Sequence, residues 1–336
     1  MALNRRRWIL SGLALSVLVV ILAGWYLQQL WQRPLQLAPQ LLEVKSGSHA
    51  RSLLQQLKAL GADIDPQLAY YQLRIRGRGD RLQAGVYDIA EDLSLADLVN
   101  RIELGQQHLF RITLVEGLTL AQWRAQLKSV PHLDAKTSAL SATQLHQLLD
   151  PEQRYPSLEG ALLPETYSYK AGTSDLQILQ DAFAKMQQEL EQAWAERDRG
   201  IPIESPYHLL IMASIIEKET GVASERGLVS SVFMNRLRSG MRLQSDPTTI
   251  YGIENFDGDL TRAHLREQTA YNTYRIDGLP PTPIAMPSVA SLRAAAQPAD
   301  SEYYYFVAND KGEHIFSKTL AEHNRAVNRY QRGQKQ

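Results

Sequence analysis

The sequence predicts an α+β protein with an N-terminal transmembrane helix, a small βααβ subdomain and a larger mixed α+β domain. Three observations predict this fold class. Residues 8–27 carry no charge, about fifty residues from Leu41 follow the order strand, helix, helix, strand, and the chain beyond Gly200 combines an apolar helix with dense polar motifs. At 336 residues the chain is long enough for two or three ordinary domains.

The overall charge argues against a nucleic-acid partner. Lys and Arg number 36, Asp and Glu also number 36, and nucleic-acid binding needs a basic surface. The local basic run Arg74–Arg81 (RIRGRGDR) is more typical of a solvated turn than of a nucleic-acid patch. The chain has no cysteine, which excludes disulfides, a thiolate nucleophile and cysteine-based zinc sites, and suits an oxidising compartment.

The N-terminus has the pattern of an uncleaved signal anchor. Residues 1–7 include three consecutive arginines, and the charge-free stretch Trp8–Leu27 is about as long as a helix must be to cross ~30 Å of hydrocarbon. Trp8 at one end, with Trp25 and Tyr26 at the other, suits the two membrane interfaces. The arginines predict a cytoplasmic N-terminus with the rest of the chain outside. A cleaved signal peptide is the alternative, but the run is long for one and no clear small-x-small site follows it.

The segment after the anchor predicts a stalk and then a compact unit. Residues 28–40 are predicted to form the stalk, because two prolines disfavour a helix. Leu41–Lys45 and Ala84–Ile89 predict strands, and between them Ala50–Gly61 and Pro66–Gly77 predict helices, the first capped by a serine of the preceding turn. The order resembles that of the LysM module, a small glycan-binding fold.

Further elements lead from this unit to the C-terminal part of the chain. Leu93–Gly105 predicts a helix and His108–Gly117 a strand, which complete a first region at 41–117. Residues 118–200 predict a helical connecting region that ends in a long amphipathic helix. Residues 201–336 hold most of the unusual polar motifs, so we expect the working domain there.

The stretch Ile211–Thr220 (IMASIIEKET) contains two acids of different character. At about 100° per residue, Glu219 falls in the centre of the apolar stripe of the helix, whereas Glu217 lies on its flank. A carboxyl beside apolar side chains loses hydration of its charged form, so its pKa should rise and it can donate a proton at neutral pH. The alternative is a buried structural glutamate that is paired with Arg226 or Arg236.

Polar residues downstream are candidates for a wall around Glu219. Tyrosine rings can stack on sugars, and amide or hydroxyl groups can bond sugar hydroxyl and acetamido groups. The alternative is a proline-stiffened loop that its tyrosines merely anchor. His314 and His323 lack the short spacing of metal ligands, so no metal or other cofactor is expected. The candidate substrate-binding residues are Gln244, Ser245, Asp246, Tyr271, Asn272, Thr273 and Tyr274.

Nine short motifs resemble the YceG-like family of endolytic murein transglycosylases, in the family's order from about Leu41 to the C-terminus. Together they are specific, although each alone would be weak. The motifs are LVEGLTL (114–120), LLPETY (162–167), MASIIEKET (212–220), VASER (222–226), MRLQSDPT (241–248), AYNTY (270–274), GLPP (278–281) and YYFVANDKGEHIFS (304–317) with EHN (322–324).

The resemblance implies a lyase anchored in the bacterial inner membrane, with a LysM-like subdomain and a periplasmic catalytic domain. Such an enzyme cuts peptidoglycan glycan strands internally and leaves 1,6-anhydro-N-acetylmuramic acid ends, which would terminate nascent strands. The family's catalytic glutamate is the second acid of the EKET motif, which falls on Glu219. By analogy, an enzyme that ends strands at the membrane is expected to work beside peptidoglycan synthases.

The implied mechanism needs one carboxylate, because the substrate's own 6-hydroxyl is the nucleophile. Asp246 is the nearest rival for a second acid, although an Asp-Pro pair more often caps or turns a chain; Glu165 and Glu225 follow, with structural roles favoured. The alternatives are a lysozyme-like hydrolase that uses Asp246 and a non-enzymatic glycan-binding scaffold. Two positions depart from the family pattern, since Thr282 and Ser288 stand where glycine is common.

Overall fold

The computed structural model describes residues 2–332, without the side chains of residues 2–7, Ile9 and Arg332. The side chains of the arginines in the predicted cytoplasmic N-terminus, and the last four residues of the predicted catalytic domain, therefore lie outside what it describes. The chain folds as a mixed α+β protein in two units. The first contains the residues up to Phe110 with Ser168–Thr173, and the second contains Arg111–Tyr167 with the residues from Ser174 onward.

The first unit begins with the helix α1, Ala2–Gln32. Its stretch Leu10–Gln32 is long and apolar enough to cross a membrane, and a signal sequence would pass the same test. The helix runs further than the sequence predicts, into residues expected to form a stalk. Proline disfavours helix only at and just before its own position, so Pro34 leaves the residues up to Gln32 helical. Trp31 then packs into the core of this unit rather than remaining in a free stalk.

The predicted βααβ order is present in the first unit. The strands β1 (Gln40–Val44) and β2 (Gly85–Ile89) pair antiparallel, and they enclose the helices α2 (Ala50–Ala59) and α3 (Pro66–Ile75). The core is formed by leucines at helical spacing in α2 and by the inward side chains of the strands. Burying each such leucine contributes roughly 1.5–3 kcal/mol. The helix α4, Leu95–Glu103, closes the unit and packs against α1 and β2.

The cap of α2 differs from the prediction. The side chain of His49, rather than a serine of the turn, accepts a hydrogen bond from the Ser52 amide, and Ser52 Oγ accepts one from the His49 amide. Imidazole can accept through one ring nitrogen as a serine hydroxyl does through its oxygen, so the capping box forms one residue later.

The second unit has α8 at its centre. Ser205 caps α8 and proline occupies its first turn, as the sequence predicts. Every residue from Leu209 to Ile216 is buried, because α8 packs against the neighbouring helices on several sides. Those neighbours are α7 (Asp175–Ala195), α9 (Arg226–Arg238), α10 (Asp246–Tyr251) and α11 (Val289–Ala296).

Two strand pairs and three shorter helices complete the chain. The strands β3 (Phe110–Thr113) and β4 (Thr166–Tyr169) form one pair. The hairpin β5 (Tyr305–Ala308) and β6 (His314–Ser317) forms the other, against which α12 packs. The remaining helices are α5 (Leu120–Lys128), α6 (Ala142–Leu149) and α12 (Leu320–Val327), with a π-helical turn at Asn328–Arg332.

Candidate functional site

Glu219 is the last residue of α8, one turn beyond its buried apolar residues. Thr220 is extended, so the chain turns away at this point and leaves the half-buried Glu219 side chain at the wall of a cleft. The cleft has a volume of about 430 Å³. Its wall also contains residues of β5, β6 and α12. The polar residues that line it include Glu219, Arg236, Gln244, Asp246, Tyr274 and His314.

Burial raises the pKa of Glu219 to about 7. The Ser245 hydroxyl, which donates a hydrogen bond to Glu219 Oε1, opposes this rise because it stabilises the carboxylate. The negative charge of Asp246 raises the pKa further, and the positive charge of Arg236 lowers it. The balance leaves a carboxyl that is about half protonated at neutral pH, as the phase of the helix predicts.

Ser245 is held in place by a compact set of threonine hydroxyls. Its backbone amide donates to Thr273 Oγ1 at 2.9 Å, and Thr248 Oγ1 donates to its carbonyl oxygen at 2.7 Å. The hydroxyl groups of Thr248 and Thr273 lie 2.8 Å apart, and all three residues are buried. The preceding Gln244 has a φ of 50°, which is uncommon for a residue with a side chain. This backbone presents Gln244 to the cleft and Ser245 to Glu219.

Asp246 and Tyr274 form a second polar feature of the same cleft. The Tyr274 hydroxyl donates to Asp246 Oδ1 at 2.7 Å. Burial and this carboxylate neighbour raise the pKa of Tyr274, so its hydroxyl keeps its proton at physiological pH. Asp246 is also in the first turn of α10, directly after Ser245.

The other three predicted site residues bond to protein groups and do not line the cleft. Asn272 is fully buried, and its amide donates to the carbonyl oxygens of His264 at 3.1 Å and Glu267 at 2.7 Å. Thr273 is equally buried and supports Ser245. The Tyr271 hydroxyl lies 2.9 Å from that of Thr282. The structure thus brings Gln244, Ser245, Asp246 and Tyr274 together with Glu219, whereas Asn272 and Thr273 are buried and Tyr271 does not line the cleft.

Arg236 is a cleft residue that the sequence suggested only as an ion-pair partner. It is buried, and its guanidinium donates to the carbonyl oxygens of Leu243 at 2.6 Å and Tyr304 at 2.7 Å. It also lies over the ring of Tyr305. The Glu219 carboxyl instead accepts its hydrogen bond from Ser245, and the charge of Arg236 acts on it through space.

The other acids that were weighed as catalytic candidates have structural contacts. Glu217 Oε2 accepts hydrogen bonds from the Ser288 amide at 2.9 Å and from Ser291 Oγ at 2.7 Å, at the start of α11. Glu225 accepts from the His314 amide at 2.8 Å and lies 2.7 Å from its ring nitrogen. Glu165 pairs with Lys185. Within residues 2–332, no cluster of three or more acidic or histidine side chains is arranged to hold a metal ion.

Glu159 is a second buried acid of this unit, and its burial was not predicted from the sequence. Its carboxyl accepts hydrogen bonds from the Leu120 amide at 3.0 Å and the Tyr251 hydroxyl at 3.2 Å. Burial nevertheless raises its pKa to about 7. The sequence did contain a signal, because Glu159 is the single charge in the otherwise apolar segment Leu158–Leu163.

The fold and this site define a mixed α+β protein with a single partly protonated glutamate at the wall of an open cleft. The sequence model of the YceG-like family matches residues 42–329. The chain therefore belongs to the YceG-like family, as its motifs predict.

Relatives from two other bacteria and one crystal structure are similar to the chain. A Bacillus subtilis protein named endolytic murein transglycosylase is 29% identical over 305 residues, which cover 86% of this chain and 84% of that protein. A Streptococcus pneumoniae protein of the same name is 27% identical over 283 residues, and the match spans half of its length. The crystal structure of a putative yceG-like protein from Listeria monocytogenes is 28% identical, with a TM-score of 0.53, over 85% of this chain and 98% of that one.

Proposed function

We propose that this chain is an endolytic lytic transglycosylase of peptidoglycan in which Glu219 is the only catalytic acid and base. The single observation that carries the proposal is a carboxyl with a pKa of about 7 at the wall of an open cleft. A general acid works best when its pKa lies near the working pH. The names of the relatives support the class of reaction.

In the proposed mechanism, protonated Glu219 donates its proton to the glycosidic oxygen between N-acetylmuramic acid and N-acetylglucosamine. The bond from the anomeric carbon to that oxygen breaks, and the N-acetylglucosamine side leaves as an alcohol. The Glu219 carboxylate then removes the proton of the muramoyl 6-hydroxyl, whose oxygen bonds to the anomeric carbon and closes the 1,6-anhydro ring. The carboxyl ends protonated, so one residue completes the cycle without water.

The neighbours of Glu219 suit this alternation between acid and base. Ser245 can donate to the carboxylate once the proton has left, and the charge of Arg236 stabilises the same form. Asp246 favours the protonated form, which is needed at the start. Gln244, Asp246 and Tyr274 are the cleft residues that we assign to substrate binding.

One observation favours a second candidate function. Asp246 lies in the same cleft as Glu219, and glycoside hydrolases generally use two carboxyl groups. In a lysozyme-like hydrolase Asp246 would activate water. Its hydrogen bond from Tyr274 favours a positioning role instead.

Mass spectrometry of the products from purified peptidoglycan sacculi separates these two functions. A transglycosylase gives 1,6-anhydro ends, which are lighter by one water than the reducing ends that hydrolysis leaves. We expect anhydro ends to predominate with the wild-type chain. Predominantly reducing ends would overturn the proposal in favour of a hydrolase, and no cleavage would favour a glycan-binding scaffold.

The proposed setting follows from the N-terminal part of the chain. We assign Trp8–Leu27 to a single-pass anchor in the bacterial inner membrane, with residues 1–7 in the cytoplasm and the rest in the periplasm; its charge-free helix supports this. We further assign residues 41–117 to a LysM-like region, 118–200 to a connecting region and 201–336 to the catalytic domain. From that position the enzyme would terminate nascent glycan strands beside peptidoglycan synthases.

A further inference from the structure

The helix α3 of the first unit carries an apolar stripe that is exposed. Leu68, Tyr71 and Ile75 are 37%, 63% and 81% exposed. Their spacing of three and four residues places them on one face of the helix. Exposed apolar side chains are common singly, but a contiguous row of them marks an interaction surface.

The same helix is fastened to α1 at the end of the predicted membrane span Trp8–Leu27. Gln72 Nε2 donates to the Leu27 carbonyl oxygen at 2.9 Å, and Arg76 Nη2 donates to Gln28 Oε1 at 2.7 Å. The Arg76 guanidinium also lies 4.9 Å from the centre of the Trp31 ring. These contacts hold α3 beside the end of α1 that would leave a membrane.

The stripe lies on the face of α3 opposite its buried leucine. With Leu68 at zero and about 100° per residue, Tyr71 and Ile75 lie near −60° and −20°, whereas the buried Leu73 lies near 140°. The core of the unit, which contains Trp31 of α1, is thus on the opposite face of α3 from the stripe. The stripe is therefore free to meet a surface outside the core of the unit.

A basic run continues from the end of the stripe. Residues 74–81 contain four arginines and one acid, Asp80. The exposed Arg74 lies 3.3 Å from Asp80, and Arg78 pairs with Glu103 at 2.6 Å. Arg81 is exposed and forms no ion pair with any residue that the structure describes. The run therefore has an excess of positive charge beside an apolar stripe, which is the composition of a surface that binds anionic lipid.

We propose that this juxtamembrane surface, formed by Leu68, Tyr71, Ile75 and the arginine run, docks on the bilayer. The apolar side chains enter the headgroup region, and the arginines bind the phosphates of anionic lipids. The proposal rests on the membrane anchor proposed above and adds a second contact to it. That contact would fix the orientation of the first unit on the membrane, because a single helix alone leaves the unit free to tilt.

The absence of cysteine allows a direct test, since one introduced thiol can carry an environment-sensitive fluorophore. The full chain is reconstituted in nanodiscs of phosphatidylcholine with or without phosphatidylglycerol, some containing brominated acyl chains. Ile75→Cys is the test position. Leu104→Cys, an equally apolar exposed position of the same unit, is the control, and Val17→Cys in α1 reports insertion of the anchor.

We expect bromine to quench the label at position 75, but not at position 104, and to do so more strongly when phosphatidylglycerol is present. Arg74→Gln with Arg81→Gln should lower the quenched fraction in the anionic discs, by roughly fivefold per arginine in the docking equilibrium. Lys45→Gln, which removes an exposed cation elsewhere in the unit, should leave the quenched fraction unchanged.

Each failure has a different meaning. An unquenched label at position 17 would overturn the anchor and this proposal together. Quenching at 17 but not at 75 would leave the anchor standing and overturn the docking, so that the stripe would be assigned to a protein partner. Equal quenching at 75 and 104 would overturn the specific surface. None of these readouts depends on glycan cleavage, so the catalytic proposal is tested separately.

Discussion

Two glutamates of the second unit have the same raised pKa but differ in what surrounds them. Burial brings both Glu219 and Glu159 to a pKa of about 7. Glu219 lines an open cleft and is bonded by a serine hydroxyl, which can rotate. Glu159 is almost fully buried and is bonded by the Leu120 backbone amide, which cannot rotate, and by the Tyr251 hydroxyl. A raised pKa therefore reports desolvation, and we propose Glu219 as the catalytic acid because Glu219, unlike Glu159, lines the cleft.

The largest difference between the two acids should be in turnover. We expect Glu219→Gln to lower the rate of glycan cleavage by roughly 10²–10⁴-fold, the range for loss of a general acid, because an amide has no proton to donate to the glycosidic oxygen. The rate is measured from soluble fragments released from sacculi, with the melting temperature as the check on folding. A variant that keeps more than a tenth of the wild-type rate would show that the acid is elsewhere.

Asp246→Asn should have a smaller effect, with a rate loss of roughly tenfold, and should leave the products as anhydro ends. Removing the negative charge lowers the pKa of Glu219, because that charge helps to raise it. The alkaline limb of the rate, which falls above pH ~7 as Glu219 ionises, should therefore move to lower pH. Loss of activity as complete as in Glu219→Gln would favour the two-carboxylate hydrolase.

Ser245→Ala should move the alkaline limb of the rate to higher pH, opposite to the shift expected for Asp246→Asn. Its hydroxyl stabilises the carboxylate, so its removal raises the pKa of Glu219 and extends activity to higher pH. Ser288→Ala is the matched control, because it removes a hydroxyl bond to Glu217 instead. If both variants shift the alkaline limb equally, the hydrogen bond to Glu219 is not the cause of the shift.

Glu159→Gln should have the smallest effect on cleavage, within about threefold, and should instead alter the pH dependence of stability. The native pKa of about 7 lies above the ordinary value of 4.5. Its stabilising contribution is therefore complete below pH 4.5 and is lost as pH rises through about 7. The loss is about 3 kcal/mol. This loss is measured from the melting temperatures of wild type and variant at pH 5 and pH 8. An equal fall in melting temperature for both proteins between these pH values would show that Glu159 is not its cause.

The sequence predicted the raised pKa of Glu219 better than it predicted the surroundings of that residue. Helical phase placed Glu219 in line with the apolar residues of α8, although in the structure every residue from Leu209 to Ile216 is buried and not one face alone. Asn272 and Thr273 are polar residues in a turn, and nothing in their spacing tells whether they bond to ligand or to backbone. Arg236 and the strand β5 reach the cleft through contacts distant in sequence, which no local pattern encodes.

For the fold, the sequence predicted the order of helices and strands better than the residues at which they begin and end. The βααβ order and the long apolar helix follow from periodicity, which extends over many residues. The end of α1 at Gln32 and the His49 cap depend on a few local contacts instead. Glu159 was missed because its burial comes from packing between distant segments, including the close approach of Gly160 to Pro283.

The catalytic role of Glu219 is tested most directly by a product spectrum from sacculi digested by wild type, Glu219→Gln and Glu159→Gln under one set of conditions. We expect abundant 1,6-anhydro ends from wild type and Glu159→Gln, and almost none from a folded Glu219→Gln. Anhydro ends from Glu219→Gln at the wild-type level, or their loss in Glu159→Gln with the fold intact, would contradict the assignment of the catalytic acid.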